Sequence, residues 1–195
     1  MKSLSEIAAK SRSSKASFIA FSGVIAALYV ALSFVSWTFG LASNEIQFRV
    51  SEVMYVLALF TPAAIPGLTI GCLIFNWISG GVVLDVFVGS FATLIGVVGT
   101  YLIGIAMRKR RATIDAANAA GANPQKKFHF GAWLALALMP NIISNTLIIP
   151  LVLRYGYGIT DAYVISAVFI FAGEFLSCGV LGYVLGMVMK KRGLL

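Results

Sequence analysis

The chain has 195 residues, of which 59% are hydrophobic and 11% charged, with a net charge of +8. A mean hydropathy of +0.93 is too apolar for a soluble globular domain and points to a multi-pass membrane protein. The basic residues gather at the ends of apolar runs, not on one face among aromatics, which argues against nucleic-acid binding.

The elements follow in chain order, and all are expected to be helices. A β-barrel would show alternating segments of about ten residues, and none are present. Residues 1–15 are polar and carry Lys2, Lys10, Arg12 and Lys15. They are expected to be cytoplasmic. The first span is placed at 16–38. An uncleaved span is favoured over a signal peptide, because 16–44 holds no charge and exceeds a typical signal h-region. Cleavage near Gly40-Leu41-Ala42 stays open.

The next apolar region, 45–80, carries Pro62 and Pro66 near its centre. Helices are expected at 45–61 and 63–80, with Thr61 to Pro66 turning the chain. Each half would span roughly 26 Å at about 1.5 Å per residue. A re-entrant loop is the alternative. Further spans are expected at 84–107, 129–153 and 161–189, with a cytoplasmic loop at 108–127. The N-terminal segment, that loop and the C-terminal tail hold 13 of the 15 Lys and Arg. The positive-inside rule then puts all three in the cytoplasm. The expected fold is a single all-α membrane domain over 1–195, with six transmembrane helices and both termini cytoplasmic.

In this topology the polar intramembrane residues gather toward the outer half. Glu52 lies about 10 Å below the outer face. Asn76 and Asp85 sit near the outer ends of their helices. Asn141 and Asn145 share a face at i, i+4 and are flanked by Pro140 and Pro150. Glu174 stands near the midplane in "VFIFAGEFLSCGVLG", with no charge nearby in sequence. An intramembrane carboxylate of this kind marks a functional site or, alternatively, a protonated acid bonding a neighbouring helix. The two asparagines are equally readable as interhelical glue. Asp85, Gly89, Thr93, Gly96 and Thr100 form one small polar face, read mostly as close packing. Asp85 alone of these is a site candidate, or else an acid at a helix N-terminus. Glu45, Arg49 and Glu52 are spaced i, i+4, i+7. They form either a self-neutralising ion pair at the interface or a rim at which Arg49 orients Glu52, with residues 39–48 as a lid.

Gly23, Ala27 and Ala31 make a ridge of small residues suited to a close helix partner. Gly182 and Gly186 are assigned to packing within the chain. Cys72 and Cys178 lie in apolar runs without disulfide or metal spacing, and the sole histidine, His129, lacks partners. No Walker A, Gly-rich nucleotide loop or Ser/His/Asp set is present. No enzyme chemistry, cofactor or metal is therefore expected, and any ATP would be hydrolysed by another subunit.

The run "RVSEVMYVLALFTPAAIPGLTIGCLIFNW" (49–77) followed by "LDVFVGSFATLIG" (84–96) resembles the QueT family. These are substrate-binding S components of energy-coupling factor (ECF) transporters for queuosine precursors. The resemblance implies a six-helix S component in a bacterial cell membrane, partnered by one T component and two ATPases. It implies capture of a 7-deazaguanine such as preQ0, preQ1 or queuine from outside. It also implies that the Gly23, Ala27, Ala31 ridge docks on the T component. The expected substrate-binding residues are Glu174, Glu52, Arg49, Asn76, Asp85, Asn141, Asn145 and Tyr55. Glu174 or Glu52 would accept the paired N–H donors of the base. The asparagine amides would meet its carbonyl oxygen, and Phe48, Tyr55, Phe75 or Trp77 would stack on it. The alternatives are an S component for another vitamin, or a stand-alone carrier using Glu174 as a proton relay.

Overall fold

The computed structural model describes residues 15–41, 48–120, 127–159 and 163–193. Helix α1 runs Lys15–Thr38, a 3₁₀ helix Val50–Leu59, α2 Ala64–Ile78, and a π-turn Asp85–Gly89 leads into α3, Ser90–Ala119. Helix α4 is Phe130–Gly156, α5 Tyr163–Glu174, a second π segment Phe175–Leu181, and α6 Gly182–Lys191. No strand occurs among the described residues. Among the described residues, four continuous helical stretches are long and apolar enough to cross a membrane: Lys15–Thr38, Asp85–Ala119, Phe130–Gly156 and Tyr163–Lys191. The 3₁₀ helix and α2 are apolar but shorter.

The region around Pro62 differs most from a regular-helix reading. An α-helix was expected over 45–61, yet the described part is a ten-residue 3₁₀ helix. The tighter coil rises about 2.0 Å per residue, so ten residues cover about 20 Å where an α-helix would cover about 15 Å. It is the central element, with Met54, Tyr55, Val56, Ala58 and Leu59 all buried. Its three-residue period puts Glu52, Tyr55 and Ala58 in one row. A second difference is that Arg108 to Arg111 continue α3 instead of opening a loop. Arg108 donates to the Leu59 carbonyl, satisfying the end of the 3₁₀ helix from a neighbouring element.

Small residues set the helix spacing. A Cβ at Gly67 would lie 2.7 Å from Ile25, and one at Gly71 2.9 Å from Tyr29, so α1 and α2 touch nearly backbone to backbone. The Asp85, Gly89, Thr93, Gly96, Thr100 face is buried throughout. On it, Thr100 Oγ1 donates to the Ala137 carbonyl of α4 at 2.7 Å. Gly186 packs on Leu134, where a Cβ would sit at 2.6 Å, in keeping with a packing role. Thr100→Val is expected to cost about 1 kcal/mol, one neutral hydrogen bond, read as a small drop in thermal midpoint in detergent. By contrast Gly23, Ala27 and Ala31 all face outward, and a Cβ on Gly23 would meet nothing within 4 Å.

Candidate functional site

The polar residues meet in two adjoining layers. The central layer joins four elements. Tyr29 of α1 donates its hydroxyl to Glu52 Oε1 at 2.7 Å. Asn141 of α4 donates from Nδ2 to Glu52 Oε2 at 3.1 Å and to Glu174 Oε2 at 2.9 Å. Asn145 donates to Glu174 Oε1 at 2.8 Å and to Asn141 Oδ1 at 3.2 Å. Both amide hydrogens of Asn141 are thus used, one on each carboxylate. Glu52, Glu174, Asn141 and Asn145 are each at most 5% exposed.

Local structure explains the convergence. The i, i+4 spacing stacks Asn141 over Asn145 on one α4 face. Gly96 of α3 lets that face approach, since a Cβ there would lie 2.7 Å from Asn141 Oδ1 and 2.8 Å from its Cα. Glu174 is the last residue of α5, where the helix widens into the π segment. Glu52 lies on the 3₁₀ helix, and Asp85 opens the other π-turn. All three buried acids therefore sit at helical irregularities, a common feature of functional sites.

The second layer holds Arg49, Cys72, Asn76, Asp85 and Tyr157. Arg49 lies over the Phe75 ring, 5.3 Å from its centroid, and donates from Nη1 to Cys72 Sγ at 3.9 Å. Asn76 Nδ2 reaches Cys72 Sγ at 3.6 Å and the Asp85 carbonyl at 3.3 Å. Tyr157, just beyond α4, donates its hydroxyl to Asp85 Oδ2 at 2.8 Å and accepts from the Val82 amide at 3.4 Å. Burial, and next the Asp85 carboxylate, push the Tyr157 phenol up to about 12. It stays a donor at physiological pH. With the folded value above the ordinary 10.0, this contribution is intact below pH 10 and is lost as pH rises through about 12.

All eight expected substrate-binding residues lie within these layers or against them. Tyr55 is the outlier: fully buried, its hydroxyl reaches only the Thr93 carbonyl, at 3.4 Å. Arg49 and Glu52 form no direct ion pair. Arg49 precedes the 3₁₀ helix in an extended conformation, φ −109° and ψ 113°, so helical spacing does not aim it at Glu52. Glu45 and most of the 39–48 segment lie outside the described residues. Of the stacking candidates, Phe75 is buried beneath Arg49, whereas Trp77 is 65% exposed. Tyr29 and Tyr157 were missed by sequence reasoning. Tyr29 is the lone hydroxyl-bearing ring in an apolar run, and only the fold brings Tyr157 to Asp85. No cluster of metal-binding side chains occurs among the described residues.

Apolar helices closed around buried acids and amides define a multi-pass membrane protein with a polar centre. A family model described as "QueT transporter" matches residues 19–191, and the chain belongs to that family. It is similar to the "Queuosine precursor transporter QueT" of Lactococcus lactis subsp. cremoris (strain MG1363), with 42% identity over 72 residues. That match covers 37% of this chain and 42% of the relative. No solved structure matches.

Proposed function

We propose that this chain is the substrate-binding S component of an ECF-type importer and that it captures a queuosine precursor, a 7-deazaguanine, from outside. The observation that carries the reading is the buried Glu52–Asn141–Glu174–Asn145 network at the heart of a chain of this family. The name of the Lactococcus relative supports the substrate class. In this reading the two short apolar helices complete six crossings, with both termini cytoplasmic. The Asp85 end faces out, and the Arg108 and Lys190 end faces the cytoplasm. Arg49, Glu52, Tyr55, Asn76, Asp85, Asn141, Asn145 and Glu174 bound the ligand site.

The outward ridge of Gly23, Ala27 and Ala31 supports docking on a membrane T component, which two ATPases would drive. Small residues admit a partner helix at close range, and none of the described residues occupies that face. Ala27→Trp should abolish co-purification with the T component and ATPases while leaving ligand affinity in detergent within about twofold, since surface changes seldom disturb a distant site. A variant that still assembles would remove the ridge from the interface. ATP-independent uptake by the chain alone in vesicles would overturn the S-component reading.

A further inference from the structure

The two polar layers differ in what they leave unsatisfied. In the central layer all four oxygens of Glu52 and Glu174 already accept a hydrogen bond. The Asp85 layer keeps three buried atoms without a partner among the described residues: Arg49 Nε, Asn76 Oδ1 and Asp85 Oδ1. The residues that carry them are 8%, 1% and 5% exposed. Buried polar atoms are normally paired, so three orphans in one cluster call for an explanation.

The three are neighbours in a definite order. Cys72 Sγ accepts from both Arg49 and Asn76, and the Asn76 amide touches the Asp85 backbone. These contacts set the residues in the order Arg49, Asn76, Asp85, and the atoms left over on them are one donor and two acceptors. Gly89 lies close against them: a Cβ there would sit 2.8 Å from Asp85 Oδ1 and 3.2 Å from Asn76 Nδ2, so a side chain at this position would cover the carboxylate oxygen. Tyr157 occupies the other carboxylate oxygen and leaves Oδ1 to a ligand. The Phe75 ring packs against the guanidinium, 5.3 Å from its carbon.

A donor followed by two acceptors is the complement of an edge with one acceptor beside two donors. A guanine-type base has that edge: a ring carbonyl oxygen, the adjacent N1–H, then the exocyclic amine. We propose that the Arg49–Asn76–Asp85 layer reads the base edge. Arg49 donates to the carbonyl oxygen, Asn76 accepts from N1–H and Asp85 accepts from the amine. The central layer then acts as a self-satisfied floor that positions the reading layer. The inference rests on the 7-deazaguanine reading given under Proposed function.

Titration calorimetry on the purified full-length protein in detergent tests this, with 7-deazaguanine and 7-deazahypoxanthine as paired probes. The second lacks the amine. Wild type should prefer 7-deazaguanine by about 10- to 100-fold, the range for losing a hydrogen bond to a charged group. Asp85→Asn should shrink that preference to within about threefold, because the charge assistance is gone. Glu174→Gln should keep the preference whatever it does to overall affinity. The ratio of two probes on one sample does not depend on the fraction folded. Preference erased by Glu174→Gln but kept by Asp85→Asn would overturn the assignment, as would a wild type that binds both probes equally. A wild type that binds neither probe would instead sink the ligand class itself, and the edge assignment with it.

Discussion

Replacing Asn141 with leucine is expected to destabilise the protein by about 3–6 kcal/mol, from losing two hydrogen bonds to buried carboxylates at about 1.5–3 kcal/mol each. Among the described residues, Asn141 is the sole group that bonds both Glu52 and Glu174. Without it, two carboxylates face each other in an apolar interior with the intervening N–H groups gone. Asn145→Leu should cost less, about 1–3 kcal/mol, because Asn145 serves one carboxylate and Asn141 still bonds both. Thermal unfolding of the purified variants in one detergent measures both. Equal effects, or an Asn141→Leu loss under about 1 kcal/mol, would contradict a bridging role.

The second large effect is expected at Gly96. Adding a single methyl in Gly96→Ala should cost about 1–3 kcal/mol, the usual range for overpacking. The added Cβ would meet Asn141 Cα at 2.8 Å, and a backbone atom cannot rotate away as a side-chain tip can. The two helices must part, which also pulls Asn141 off its carboxylates. Ligand affinity should therefore fall along with stability. Gly23→Ala is the matched control. Its Cβ meets nothing within 4 Å, so stability should hold or rise slightly through better helix propensity. Similar losses in both variants would show that loss of glycine itself, and not the close approach at Asn141, is responsible.

Much of this arrangement was legible in the sequence because its signals are local. The i, i+4 asparagines, the lone Glu174 and the Asp85-to-Thr100 face each follow from helical spacing in an apolar background. The long spans follow from length and hydropathy. What could not be read is non-local or breaks the α-helical period. The 3₁₀ helix is buried nearly all round, so its apolar residues carry no period that separates three residues per turn from 3.6. Where that helix begins matters at Arg49, which stands just outside it in extended backbone, so the spacing that would pair it with Glu52 does not apply. The contacts of Tyr29 to Glu52 and Tyr157 to Asp85 join residues 23 and 72 positions apart. No local pattern encodes them. They exist because Ser33 and Ser36 of α1 hydrogen-bond Ser51 and the Val50 amide, seating the 3₁₀ helix on α1, and because the turn at 79–84 brings Asp85 under the end of α4.

The most direct measurement is mass spectrometry of the small molecule that co-purifies with the full-length protein from its membrane. A 7-deazaguanine is expected, bound at about one per chain and lost in an Asp85→Asn, Glu174→Gln double variant. A flavin or thiamine in its place would contradict the assignment.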